Sequence, residues 1–293
     1  LIIQQTKFAR VLLERYLEDC ARFTIPGPRT RTTPADDDTP PTDGDKDEGV
    51  FAAPARSGCD SPIAATHIGG IMFLARCTRP DLMVAVFRLS RYFTCWTRRQ
   101  DRWLSQLYGY LMGTLDLGLV SVLDVRDFKE RKLEIRTYMD ADHGGCHQTR
   151  RSTTGVHIVL KGPYGTSAAL LSSSSRQGAA ATSTGEAELI AISSAWKKSA
   201  KIEALASALL RYDIIASYHS DNTAAISAVR AGFSDKMQYI RKLHGICISV
   251  LHDQIGSNIH KVDTHVNSAD VFTKPLGIEA FTRHIKELGL RVC

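Results

Sequence analysis

Leu133-Glu134-Ile135-Arg136-Thr137-Tyr138-Met139 alternates apolar and polar side chains and leads into Asp140. A period of two predicts a half-buried strand, here with a carboxylate at its end. Three further acidic residues occupy comparable places. Glu188 lies in the first turns of a long helical pattern, and Asp221 ends the short strand-like run Ser217-Tyr218-His219-Ser220. Asp270 is expected to open a C-terminal helix after Asn267-Ser268. Strand ends and helix starts from distant parts of a chain can converge on one concave spot. Carboxylates gathered there repel unless cations neutralise them, so the pattern predicts bound divalent metal.

Around this stretch the pattern from Leu133 onward reads strand, strand, strand, helix, strand, helix, helix, strand, helix, an α/β domain. Thr153 to Leu160 and Thr166 to Leu171 flank the turn Lys161-Gly162-Pro163-Tyr164-Gly165 and, with the first strand, predict an antiparallel meander. A helix is expected from Thr184 to Leu210 and a late strand from Asn258 to Val262. Upstream the reading is helical. Phe8 to Leu17 has apolar residues at helical spacing, Ile63 to Cys77 is nearly all apolar on one face, and Pro80 starts a helix continuing through Leu82 to Phe93. Trp103 to Met112 makes a third helix of that region. Thr24 to Gly58 is rich in Pro, Thr, Asp and Gly and is expected to act as a linker or flexible insertion. The expected segments are therefore 1–23, a linker 24–58, a helical joining region 59–124 and an α/β domain 125–293.

At 293 residues and 43% hydrophobic content the chain can bury one sizeable core and a smaller unit. No apolar run approaches the ~18–20 residues of a membrane span, and no signal-peptide pattern opens the chain. It begins at Leu1 and reads as a piece of a longer product. Seven cysteines are scattered without a C-x-x-C pair, which predicts reduced thiols in an intracellular compartment. The net charge is +6 despite the acidic run Asp36 to Glu48, so the remainder is basic enough for a polyanionic partner. The same charge also serves ordinary solubility.

Local context separates each carboxylate from its neighbours. Ser183-Thr184-Gly185-Glu186 fits a capping box, giving Glu186 a structural task at the helix start. Glu188 instead heads the row Ile192, Ala195, Ser199, Ile202, Ala206 and Leu209, small or apolar throughout, and is expected to point toward the sheet. Glu186 shares its row with Ser193, Lys197 and Lys201, the expected wetter face. Asp142, beside Gly144-Gly145, is expected in a turn past the strand. Asp221 and Asp270 could each serve as a helix N-cap, but four such residues in this order favour a shared site.

Tyr138-Met139-Asp140-Ala141-Asp142, Arg150-Arg151-Ser152-Thr153-Thr154-Gly155, Ser183-Thr184-Gly185-Glu186-Ala187-Glu188 and Ala269-Asp270-Val271-Phe272-Thr273-Lys274-Pro275-Leu276 resemble the RNase H domain of copia-type retrotransposon Pol polyproteins. Thr78-Arg79-Pro80-Asp81 and Tyr110-Leu111-Met112-Gly113-Thr114-Leu115-Asp116 resemble the region joining the reverse transcriptase to it. The resemblance implies an RNase H-like mixed sheet, antiparallel meander plus parallel strands, flanked by helices and preceded by a small helical region. Residues 1–23 would then be the end of the reverse transcriptase. Catalytic and metal-binding positions fall on Asp140, Glu188, Asp221 and Asp270. The implied activity is cleavage of the RNA strand of RNA–DNA hybrids with two Mg²⁺ (or Mn²⁺) ions ~3.5–4 Å apart.

His143 stands where the family usually has Trp, and Ser172 to Gln177 replaces a Trp and a basic pair. Asp235-Lys236-Met237-Gln238-Tyr239-Ile240 follows the family's basic K-H-I-D pattern only loosely. The Y-x-D-D carboxylates of a polymerase are absent, so no DNA synthesis is expected of this chain alone. His265, five residues before Asp270, is a candidate for proton transfer to the leaving group. Arg150, Arg151, Lys197, Lys198 and Lys201 are candidates for phosphate contacts. His143, Cys146 and His147 fit no structural zinc spacing. Expected partners are an RNA–DNA hybrid and the upstream reverse transcriptase domains of the parent polyprotein, in a cytoplasmic particle or the nucleus, with no membrane. Two alternatives are a decayed remnant that only binds nucleic acid and an integrase or transposase of the same fold. The latter usually ends its acidic set on Glu, whereas Asp270 comes last here.

Overall fold

A computed structural model describes residues 1–36, 63–146 and 149–293. In chain order the elements are β1 (Ile2–Ile3), α1 (Thr6–Arg22), α2 (Ala64–Cys77), α3 (Met83–Ser90), α4 (Arg98–Gly113), β2 (Leu117–Val120) and α5 (Val125–Lys129). Then come β3 (Glu134–Asp142), β4 (Thr153–Lys161), β5 (Ser167–Arg176), α6 (Thr184–Leu210), β6 (Ile215–Ser220) and α7 (Thr223–Ala231). Last are α8 (Ile240–His244), α9 (Ile248–Ile255), β7 (Ile259–Lys261), α10 (Ile278–Glu287) and β8 (Leu290–Val292). Short 3₁₀ turns at Pro80–Leu82, Asp235–Met237 and Asp270–Phe272 interrupt the series.

The chain divides into two compact units. One comprises Val120–Lys274 with Leu1, the other Ile2–Leu119 with Pro275–Cys293. The first holds a five-stranded sheet in the order β5-β4-β3-β6-β7. β3 pairs antiparallel with β4, and β4 with β5, while β6 lies parallel to β3 and β7 parallel to β6. This is the expected mixed sheet, a meander extended by parallel strands and flanked by helices. Ile135, Met139, Val156, Ile158, Tyr218 and Ile259 form its core with Leu189, Ile192 and Ala195 of α6. On β3 the alternation puts Ile135, Thr137 and Met139 on the buried face. The Thr137 hydroxyl meets Ser199 of α6 at 2.9 Å, satisfying both buried groups.

Several boundaries differ from the sequence reading. β3 continues through Ala141 and Asp142 because Thr154 and Thr153 of β4 pair with them, so Asp142 belongs to the strand. β5 runs on to Arg176, the serines Ser172 to Ser175 pairing with β4 beyond an irregularity at Ile158/Val159. α6 matches the expected helix, yet Leu209, assigned to its buried stripe, is 74% exposed. Ile202, Ala206 and Leu210 pack against the core, so the buried stripe ends on Leu210 and turns Leu209 outward.

The second unit packs α1, α2, α3 and α4 around Leu12, Tyr16, Ile68, Ile71, Leu82, Leu104 and Leu107. Arg79, only 2% exposed, is held by Asp81 and by the carbonyl and hydroxyl of Thr114, so the buried charge is paired and hydrogen-bonded. The same unit contains α10 and a small sheet in the order β1-β2-β8. These compact units cut the chain differently from the expected segments. The boundary falls at Val120 rather than 125, and Pro275–Cys293 joins the helices because β8 pairs with β2. Residues 24–36 of the expected linker also pack. Arg31 donates its N–H to the Gly109 carbonyl of α4, and a side chain at Gly109 would collide with the Arg29 carbonyl. The rest of that linker, 37–58, lies outside the described residues. Among the described residues no helix is long and apolar enough to cross a membrane.

Candidate metal centre

Asp140 occupies the β3 face opposite the core and is 4% exposed. Its partner across the ladder is Gly155 of β4. With no side chain there, the 3₁₀ turn Asp270–Phe272 comes down onto the sheet beside Asp140. A Cβ at Gly155 would lie 2.5 Å from the Ala269 carbonyl oxygen. Further ties fix this turn. Asn267 Nδ2 donates to the Met139 carbonyl at 3.0 Å, Ser268 Oγ meets His157 Nδ1 at 2.8 Å, and Thr273 Oγ1 donates to Asp140 Oδ2 at 2.5 Å. Asp270 thus opens a 3₁₀ turn and not the expected helix.

Asp221 follows β6, which the parallel ladder places next to β3. The N-cap of α7 is Asn222, whose side chain accepts from the Ala225 N–H at 2.9 Å. Asp221 therefore has no capping task, and its Oδ2 accepts from Thr264 Oγ1 at 2.8 Å. One oxygen from each of Asp140, Asp221 and Asp270 lies within 4.8 Å of the others. Glu188, on α6 and 3% exposed, stands within the field of all three.

The electrostatics are those of an unneutralised cluster. Burial, then Asp140 and Asp221, push Glu188 up to about 9, against a backbone hydrogen bond from Ala141. Burial and Asp140 push Asp270 up to about 7, partly offset by Lys274, whose Nζ is 3.5 Å from Asp270 Oδ2. Asp140 is also raised, chiefly by burial, against the Thr273 hydrogen bond and Lys274. Burial opposes the charge on Lys274, but Asp270 and Asp140 outweigh it and raise that amine. One lysine does not balance four carboxyl groups. Glu188 Oε2 and Asp270 Oδ1 are buried without a hydrogen-bond partner. Buried orphan acceptors are costly, and an all-oxygen donor set is the chemistry of a hard divalent cation. The residues fit such an ion.

Glu186 corrects the sequence reading. It is fully buried, and only half of a capping box forms. Ser183 Oγ accepts from the Glu186 N–H, but the Glu186 carboxylate accepts from the Thr182 N–H and hydroxyl, from Tyr239 Oη at 3.0 Å and from His244 Nε2 at 2.5 Å. Burial acts to raise its pKa, but these donors prevail and hold it below the usual carboxylate range. Ser193, on the supposed wetter face, is also buried.

Of the other candidates, His265 sits exposed on the loop leading to Asp270, its N–H donating to Asp263 Oδ1. Arg150, Lys197 and Lys201 are exposed and Arg151 half-buried. Lys198 departs from expectation. Its Nζ donates to Ser173 Oγ of β5 at 2.8 Å, and burial lowers its pKa, so it braces the sheet. His147 lies outside the described residues, and His143 Nε2 is 3.2 Å from the Ala181 carbonyl. The sequence reading missed Gly155, Asn267 and Thr273 as supports of the site. Thr273 had a local signal, three residues after Asp270, whereas the other two act across 114 and 128 positions and left none.

The fold and site define an α/β chain with an RNase H-like sheet and a largely buried carboxylate cluster. No family model matches the chain. It is 30% identical over 233 residues to the retrovirus-related Pol polyprotein from transposon RE2 of Arabidopsis thaliana, a match covering 76% of this chain and 15% of that protein. The corresponding polyprotein from transposon RE1 of the same plant is 29% identical over 228 residues, covering 76% and 14%. That from transposon TNT 1-94 of Nicotiana tabacum is 26% identical over 214 residues, covering 72% and 15%. The chain belongs with these copia-type transposon Pol polyproteins and spans about 15% of their length. Among solved structures, LC11-RNase H1 in complex with RNA/DNA hybrid is similar at 16% identity and a TM-score of 0.34, over 48% of this chain and 94% of that one. RNase H1 from Halobacterium salinarum gives 16% identity and a TM-score of 0.32 over the same shares. Superposition at these scores is loose.

Proposed function

We propose that Val120–Lys274 is an RNase H-type endonuclease that cleaves the RNA strand of RNA–DNA hybrids with the aid of two Mg²⁺ or Mn²⁺ ions. The observation that carries this reading is the triad Asp140, Asp221 and Asp270 within 4.8 Å, with orphaned carboxylate oxygens on Glu188 and Asp270. Asp140, Glu188, Asp221 and Asp270 would hold the ions. When bound, such ions lower the pKa of an attacking water and stabilise the departing oxygen.

The chain's own residues prepare that chemistry. Thr273 fixes one oxygen of Asp140, and Thr264 fixes one of Asp221, so each carboxylate enters the site pre-oriented. Lys274 offsets part of the negative charge near Asp270. His265 would return a proton to the leaving oxygen. Arg150, Arg151, Lys197 and Lys201 would contact phosphates, and the 2′-hydroxyl would set RNA apart from DNA. The partners would be an RNA–DNA hybrid and the other domains of a transposon polyprotein, inside the cell in a particle or the nucleus.

The test is incubation with end-labelled hybrid in Mg²⁺ and in EDTA. Cleavage confined to the RNA strand, present with Mg²⁺ and lost in EDTA and in Asp140→Asn, is the expected result. Binding without cleavage under every metal condition would leave a remnant that only binds nucleic acid.

A further inference from the structure

Lys274 is the last residue of the sheet unit and stands four positions after Asp270. Its Nζ lies 3.5 Å from Asp270 Oδ2, and its side chain is 44% exposed whereas that of Asp270 is 7%. Burial opposes the charge on this amine, but Asp270, Asp140 and Asp142 together outweigh it. The ammonium is therefore held by the field of three carboxylates and not by one partner alone.

That hold is loose. A tight pair between a charged N–H and a carboxylate closes to ~2.7–2.9 Å, so 3.5 Å is a pair that parts readily. The amine rides on a flexible four-carbon stem, and Pro275 narrows the backbone from which the stem starts. Movement therefore falls to the side chain. The ammonium also satisfies its surroundings poorly, since Glu188 Oε2 and Asp270 Oδ1 stay buried without a hydrogen-bond partner beside it. A hard divalent ion carries twice the charge and accepts about six oxygen ligands. Ion and ammonium seek the same Asp270 carboxylate, and two cations that close repel each other.

We propose that Lys274 is the resident counter-cation of this cluster, that a divalent ion displaces it from Asp270, and that it thereby weakens the binding of that ion. The inference rests on the reading of the cluster as a metal centre, so it is tested by ion binding without nucleic acid, apart from cleavage. The full chain is titrated with Mn²⁺ at neutral pH and fixed ionic strength, the free ion being read by electron paramagnetic resonance. Lys274→Gln should bind Mn²⁺ about fivefold more tightly, which is ~1 kcal/mol at ~1.4 kcal/mol per tenfold and the upper end for an ion pair with an exposed partner. In EDTA the same variant should melt below the parent, because the carboxylates lose their counter-cation. Lys274→Arg keeps the charge and should restore the parent's Kd, and Lys129→Gln, which removes an exposed charge from α5, should track the parent. A Lys274→Gln protein with the parent's Kd or a higher one, or an equal gain in Lys129→Gln, overturns the proposal. A second measurement needs no variant. Mild acetylation of the parent, read by mass spectrometry, should label Lys274 slowly in EDTA and faster in Mg²⁺, and equal labelling overturns the displacement. Absence of Mn²⁺ binding by the parent would overturn the metal centre and this inference with it. Ion binding with the lysine response but without hybrid cleavage would remove the nuclease reading alone and leave the role of Lys274 standing.

Discussion

Replacing Gly155 with alanine perturbs the carboxylate cluster while leaving every carboxylate in place. The new Cβ would stand 2.5 Å from the Ala269 carbonyl oxygen, 2.8 Å from Thr273 Cγ2 and 3.1 Å from Phe272 Cβ. Ordinary contact begins at 3.4 Å, so relief requires 3.4 less 2.5, or 0.9 Å, of retreat by the turn that carries Asp270. Inserting a methyl group into a packed position costs about 1–3 kcal/mol. Removing a strand glycine offsets about 0.5–1 kcal/mol of that. Overpacking dominates, and the net loss should be about 1–2 kcal/mol. The effect on turnover should be larger, because a reacting group displaced by about 1 Å costs on the order of 100-fold in rate. Urea unfolding and single-turnover cleavage of labelled hybrid measure the two quantities. Gly178 supplies the control: a Cβ there would meet nothing within 4 Å, and Gly178→Ala should leave both quantities unchanged. A Gly155→Ala protein with the parent's stability and turnover would show that this contact does not seat Asp270.

Asp140→Asn and Asp221→Asn should each abolish Mg²⁺-dependent cleavage yet raise the melting temperature in EDTA, because a self-repelling cluster loses charge; undiminished cleavage by both would refute the site. Glu186→Gln should lower stability by about 1–3 kcal/mol, since an amide nitrogen would face the donors Thr182, Tyr239 and His244; a melting temperature equal to the parent's would contradict the network. In EDTA, Glu188 and Asp270 keep protons in the folded state up to about pH 9 and about pH 7 that the unfolded chain has already released. The melting temperature should therefore fall as pH rises from the ordinary carboxylate range through those values and recover with Mg²⁺, whereas a flat or rising curve would count against the raised values. A fragment spanning Val120 to Lys274 should fold cooperatively by circular dichroism and elute as a compact species, whereas an aggregated product would place the helical unit in the same core.

The periodic parts of the chain were legible without coordinates. Alternation located β3, and turn residues located the meander, because both signals are local. Helix phasing pointed Glu188 toward the sheet, where it lies in the field of Asp140, Asp221 and Asp270, but the role given to Glu186 did not survive. Its partners Tyr239 and His244 are 53 and 58 residues away, beyond the reach of any spacing rule. The capping ambiguity at Asp221 was settled by its neighbour, since Asn222 has the geometry to bond Ala225. No local pattern announces that Pro275–Cys293 leaves the sheet unit, because the pairing of β8 with β2 is a contact between distant strands. Leu209 misled because Leu209 and Leu210 are both apolar and either could continue the stripe; the structure seats Leu210 on the core and leaves Leu209 exposed.

The carboxylates of the centre come from four separate elements, and the last, Asp270, follows the first by 130 positions in the chain. During synthesis the ribosome releases Asp140, Glu188 and Asp221 well before the turn that seats Asp270 on Gly155. At ~5–20 residues per second, the 49 residues separating Asp221 from Asp270 take about 2–10 seconds to appear. Throughout that interval the nascent chain, still close to its own message, carries an incomplete set of ligands. Order of emergence alone thus makes the seating of Asp270 one of the last steps in assembling the sheet unit, after the elements that carry the other carboxylates are already present.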